Sequence, residues 1–186
     1  MKYLIAGLGN IGPEYELTRH NIGFLAIDYL ADQKDTKFEL ARLAFIADFK
    51  FKSRTIYLLK PTTFMNLSGK AVKYWLDQLK IPIKNLMVLV DDIALPYGKI
   101  RIRAKGSSAG HNGLIDIESI LGTTAYPRLR IGIGDDFSKG RQVEYVLSKF
   151  NKQEIEDLPF IFNKTSEAIL AFTTIGLERT MNFYND

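Results

Sequence analysis

The 186-residue sequence contains no cysteine. Disulfides, thiolate metal centres and thiol nucleophiles are therefore excluded, and the composition suits a reducing compartment without requiring one. Histidine is scarce: only His20 and His111 are present, with no H-x-x-x-H spacing, so the usual zinc-hydrolase ligand set is missing. No apolar run approaches the ~20 residues of a membrane span. The chain also has no internal repeat, low-complexity tract or linker-like stretch. Its opening, MKYLIAGLGN, passes from a short apolar run straight into a Gly-Asn loop and reads as a first strand rather than a signal peptide. Charge imbalance is small. With 25 basic and 21 acidic residues the net charge is +4, which points to an acidic partner only if the charges gather on one face.

What is present is ordinary for a globular protein: 46% hydrophobic and 25% charged residues. The length favours one domain over residues 1–186, with a core large enough to need no covalent staples. Residues 3–6 read as a buried strand. Ile22, Leu25, Ala26, Tyr29 and Leu30 follow helical spacing, predicting a helix over 20–33. Leu43, Phe45, Ala47, Phe49 and Phe51 alternate, predicting a strand that pairs with a second over 54–60 across the short KSR connection. Val72, Trp75, Leu76 and Leu79 predict a helix over 67–80, and NLMVLVDD (85–92) a strand buried on both faces. Strands over 99–104 and 128–134 flank a helix that starts near 112. The chain from about 152 is mainly helical, with a break near Gly176. Such alternation predicts a single-domain three-layer α/β/α sandwich with a mixed, mostly parallel twisted sheet. In such sheets sites form where strand ends lead into helices.

Gly7-x-Gly9-x-x-Gly12 follows the first strand and matches a dinucleotide-binding fingerprint. The mechanism behind that fingerprint needs a helix opening inside the motif. Here Pro13 disfavours helix at Gly12, and the helical stripe begins only near Ile22. Asp28 and Asp32 stand at the distance of the ribose-binding acid, but on the predicted helix rather than at a strand end. The glycines read instead as places where the backbone turns sharply or passes close to something.

His20 lies where a loop enters a helix. On position alone it reads as structural or solvated, but other strand-end loops offer complementary groups: Asn10, Asn66, Asp91, and His111 with Asn112. A neutral imidazole can take a proton from water, and a carboxylate on its other nitrogen fixes the tautomer. No G-x-S-x-G elbow is present, and Ser68 and Ser107 have no base beside them in sequence. The remaining chemistry is a histidine-activated water attacking a carbonyl or phosphoryl centre.

Five stretches in order, GLGNIGPEYELTRHNIGF, KPTTFMNLSGKAV, VLVDDIALPYGKIRIR, GSSAGHNGL and RLRIGIG, resemble the bacterial peptidyl-tRNA hydrolase family over residues 3 to 150. The resemblance implies cleavage of the ester between a peptide and the 3′ end of tRNA, by a monomeric cytoplasmic enzyme with no metal or cofactor. It implies His20 as the base, Asp91 as its supporting carboxylate and Asn10 as a contact to the peptide part. It also implies Tyr15, Phe64, Asn66 and Asn112 as contacts to the tRNA end or the peptide main chain, with Met65 as an apolar wall. Other readings stay open. Phe64 and Met65 also suit a core, Tyr15 suits loop packing, and Asn112 suits a helix N-cap. His111 reads as loop support rather than a second base. Asp92 competes with Asp91, although strand alternation puts the two on opposite faces. Ile11, Ala94 and Ala109 depart from the family pattern, where proline, an acid and glycine respectively are common.

Lys99, Arg101, Arg103 and Lys105, with Arg128 and Arg130, form an alternating basic series. If the strand continues through residue 105, the series is a ridge for tRNA phosphates, which position RNA without reading its sequence; otherwise it is a solvated strand face. Two further function classes remain at this level: a non-catalytic RNA-binding relative of the same fold, and the dinucleotide enzyme.

Overall fold

The structure, a computed structural model, describes residues 1–185. Its strands are β1 (Lys2–Gly7), β2 (Glu39–Ala41), β3 (Ala44–Phe51), β4 (Arg54–Pro61), β5 (Leu86–Asp92), β6 (Ile100–Arg103) and β7 (Arg128–Gly132). Its helices are α1 (Ile22–Gln33), α2 (Ser68–Leu79), α3 (Asn112–Leu121), α4 (Gln142–Val146), α5 (Lys152–Ile175) and α6 (Leu177–Tyr184). The strands join in one sheet ordered β2-β3-β4-β1-β5-β7-β6. Neighbours among β4, β1, β5 and β7 run parallel, while β2, β3 and β6 pair antiparallel at the margins.

The apolar runs of β1 and β5 occupy the middle of the sheet because both of their faces are covered. Tyr3 and Ile5, with Met87 and Leu89, pack into one cluster with α1 and α5. Leu4 and Ala6, with Val88 and Val90, pack into the other with α2 and α3. The three expected layers follow directly from this two-sided burial, each buried Val, Leu, Ile or Met side chain contributing roughly 1.5–3 kcal/mol.

Two glycines of the opening motif have the physical roles anticipated for them. A Cβ on Gly7 would collide with the backbone of Gly23, so α1 rests directly on the end of β1. Gly12 has φ 118, a conformation open to glycine, and turns the chain outward before Pro13–Tyr15. The dinucleotide reading fails on the same geometry: Arg19–Asn21 forms a separate short turn and α1 begins only at Ile22, far beyond the glycines.

Three details differ from the sequence expectation. Leu43 is not in a strand; it has φ 62 and lies in the turn between β2 and β3. The hairpin from β3 to β4 turns on Lys52 and Ser53 alone, both with positive φ, and Arg54 already pairs with Phe51. β2 and α4 were not anticipated, being three and five residues long with no clear periodicity. At the far margin, the Asn185 side chain bonds both backbone groups of Ile102 and so covers the open edge of β6.

Candidate active site

Above the strand ends of β1 and β5 lies a cleft of about 800 Å³, lined by Asn10, His20, Phe64, Met65, Asn66, Asp91, Asp92, His111, Asn112 and Arg130 among others. Four loops separated in sequence thus deliver their polar residues to one hollow.

Asp91 is at its centre. It is the sixth residue of β5 and shares the strand face of Met87 and Leu89, so it is only 6% exposed. His20 comes from the turn just before α1, and its Nδ1 lies 2.9 Å from both Asp91 oxygens. His111 comes from the opposite side, with Nε2 2.9 Å from Asp91 Oδ1. His111 is also the N-cap of α3, its Nδ1 accepting the N–H groups of Gly113 and Leu114. A nitrogen that accepts carries no proton, so neutral His111 is protonated at Nε2 and donates to Asp91. His20 likewise donates Nδ1–H to the carboxylate, which leaves its Nε2 lone pair unengaged in the cleft.

The electrostatics agree with this assignment. Burial pushes the Asp91 carboxyl up, but His20 and His111 outweigh that and hold it well below the usual carboxylate range. Burial pulls the His20 imidazole down, and the Asp91 charge and hydrogen bond reverse this, so the net direction is upward. Asp92 takes no part in the imidazole pair. It faces the other way, accepts the N–H of Ala94 and meets Arg130 at 3.4 Å.

Asn10 is held on three sides. Its N–H donates to Asn21 Oδ1 and its C=O accepts from Asn21 Nδ2, both at 2.8 Å. Its own Oδ1 accepts the N–H of Met65, also at 2.8 Å. These bonds fix the amide orientation and leave Nδ2 as its donor to the cleft. Asn66 and Asn112 are exposed along the rim, and Phe64 is 57% exposed, which removes the core reading for that ring. Met65 is both core and cleft wall. Asn112 is the first residue of α3, not its cap, because His111 already fills that position. Tyr15 is half-buried in its own turn and lies outside the residues that line the cleft.

The basic series divides. The strand ends at Arg103, so Lys105 lies in the following loop and Lys99 just before the strand. Lys99, Arg103 and Lys105 are exposed and Arg101 is half-buried. Arg130 lines the cleft and donates to the Ser107 carbonyl. Arg128 must be withdrawn as a phosphate contact. It is 0% exposed, paired with Glu118, bonded to the Thr124 carbonyl and stacked on Tyr126. Strand alternation alone placed it with Arg130, but α3 covers that part of the face.

Three contributors escaped the sequence reading. Asn21 positions Asn10 through two bonds that no motif logic announces. His111 was read as loop support only, whereas it also holds Asp91. The segment Phe137–Leu147, which walls the cleft with Lys139, Gln142, Val143, Val146 and Leu147, mixes charged and apolar residues without a clear periodicity or motif. Ala109 on the cleft's loop has φ 50, a left-handed conformation costing a non-glycine residue about 1 kcal/mol; glycine is the less strained choice there.

One trio among the described residues brings metal-ligating atoms within 4.8 Å of one another: His20, Asp91 and His111. It does not suit a cation. Binding at His111 Nε2 requires the ring proton on Nδ1, where it would face the Gly113 and Leu114 N–H groups.

The fold is an α/β sandwich whose strand-end cleft holds an imidazole oriented by a buried carboxylate, with one ring nitrogen open, an arrangement chemically suited to activating water. The peptidyl-tRNA hydrolase family model matches residues 4–186. A peptidyl-tRNA hydrolase of Cytophaga hutchinsonii is 55% identical over 100% of this chain and 98% of its own length. One from Porphyromonas gingivalis is 52% identical over 100% of both. The crystal structure of peptidyl-tRNA hydrolase from Acinetobacter baumannii is 31% identical and superposes with a TM-score of 0.91 over 98% of this chain and 94% of that one. The chain belongs to the peptidyl-tRNA hydrolase family, a family of enzymes.

Proposed function

We propose that His20 Nε2 removes a proton from a water molecule, and that this water attacks the ester carbonyl joining a peptide to the 3′ end of tRNA. Asp91 holds the ring in the required tautomer and stabilises the imidazolium that forms. The observation carrying this reading is the double contact of Asp91 with His20 Nδ1, which leaves Nε2 as the open base. As the tetrahedral intermediate develops, Asn10 Nδ2 is the donor available to its oxyanion. Of the backbone groups nearby, the Gly113 and Leu114 N–H are taken by His111 and that of Met65 by Asn10. Collapse breaks the C–O bond, and the imidazolium returns its proton to the departing ribose oxygen. Exposed Asn66 and Asn112 supply rim amides for the peptide main chain or the tRNA end.

The tRNA body is held by Lys99, Arg103 and Lys105 outside the cleft, with Arg101 beside them and Arg130 at the cleft wall. The enzyme acts as one domain and as a cytoplasmic monomer without cofactor. Incubation with N-blocked and free aminoacyl-tRNA tests the reading. Selective deacylation of the blocked form is expected; binding without cleavage would replace it with the RNA-binding reading. The rate is also expected to survive exhaustive chelation.

A further inference from the structure

Arg19 stands one residue before the proposed base, yet its side chain is engaged wholly with residues 145–154. It is only 7% exposed. Nη1 donates to Ser148 Oγ at 2.6 Å and to the Lys149 carbonyl at 2.7 Å; Nη2 donates to Glu154 at 2.7 Å. The guanidinium also lies 4.6 Å from the Tyr145 ring centre and 5.5 Å from that of Phe150. Beneath it the backbones pair: the Arg19 N–H donates to Ser148 O, and the Phe150 N–H to Leu17 O.

The element so held cannot hold itself. α4 has five residues, none fully buried, and no capping side chain, far below the length at which a helix is stable alone. Its Val143 and Val146, with Leu147 just beyond its end, nevertheless wall the cleft, and Val143 is 70% exposed. Tyr145 and Ser148 fasten it, the first through its hydroxyl to the Ile133 carbonyl, and both meet Arg19. Across the cleft Asn10, Asn66 and Asn112 offer amides suited to a main chain, beside the apolar Phe64 and Met65.

We propose that Arg19 is a positioning residue that sets the Val143–Val146–Leu147 wall at a fixed place relative to His20, and that this wall receives the side chain of the residue esterified to the tRNA. The inference rests on the ester cleavage proposed above. A carbonyl at His20 carries its α-substituent only a bond or two away, so base and wall must keep register. Arginine is needed because its planar fork reaches several acceptors while its faces stack, which lysine cannot do.

Steady-state kinetics on N-acetyl-phenylalanyl-tRNA and N-acetyl-glycyl-tRNA test this. For Arg19→Lys, KM for the phenylalanyl substrate is expected to rise about tenfold, the scale of a lost apolar pocket. KM for the glycyl substrate and the acid limb of the pH profile should hold. Glu154→Gln retains the capping box with Asn151 and should shift the same ratio less; it carries the test if Arg19→Lys does not fold. Equal losses on both substrates, an unchanged ratio, or a moved acid limb would overturn the proposal. Hydrogen exchange of residues 142–147 reads the fastening without catalysis: faster exchange in the variants is expected. If the wild type cleaves neither substrate, the ester reading fails, while the exchange result still judges the fastening.

Discussion

Asp91 binds two imidazoles at once, and the two differ in which nitrogen is left over. His111 uses both, one on the carboxylate and one on the start of α3. His20 uses one, so it alone can act as a base. Truncation to His20→Ala is expected to lower kcat/KM by about 10²-fold or more while the protein remains folded. Asp91→Asn is expected to cost roughly 10²–10⁴-fold, through loss of the tautomer constraint. It also removes the charge that raises the His20 pKa while burial remains. The acid limb of kcat/KM should therefore move to lower pH in that variant, having stood above the ordinary histidine value of about 6.5 in the wild type. A limb that stays in place would show that Asp91 does not tune the base.

At the scale of elements, the sheet margin bearing β6 and β7 separates binding from stability. Arg128 is sealed under α3 with Glu118, and breaking a buried pair typically costs about 3–5 kcal/mol. Arg128→Met should accordingly lower the denaturant midpoint sharply, with tRNA affinity per folded molecule unchanged. Arg103→Ala and Lys105→Ala should do the reverse: stability held, affinity reduced, and the salt dependence of binding shallower by about one in log–log slope for each phosphate contact removed. Titrations of tRNA across a salt series, beside denaturant melts, separate the two behaviours. The alternation of β7 was legible as a pattern, but not the helix that covers one of its two arginines.

For the whole molecule, the same ion pair sets stability and activity in opposition. His20 has a raised folded pKa, so its contribution is complete below the unfolded value of about 6.5 and is lost as pH rises through the folded value. Asp91 is depressed, so its contribution is present above about 3.9 and is lost only as pH falls further, through its folded value. The pair stabilises most in mildly acid solution. The thermal midpoint is expected to decline from pH 6 towards 8 while kcat/KM rises, about where histidine titrates, and Asp91→Asn should flatten the first trend. Parallel melting and rate profiles over that interval check it.

Local sequence determined a good deal. Apolar runs and periodicities were enough for the three layers and most element positions, because burial on one or both faces of a strand or helix leaves a short-range pattern. Strand-end position and the family resemblance of the motifs nominated Asn10, His20 and Asp91. Only the tertiary structure decided which groups meet: that Asp91 serves two rings, that Asn21 clamps Asn10, that Tyr15 lies outside the cleft and that Arg128 is buried. Those outcomes depend on contacts between residues far apart in the chain, such as 20 with 91 and 19 with 154. A hydrogen bond or a covering helix leaves no periodic trace in the segments that it joins.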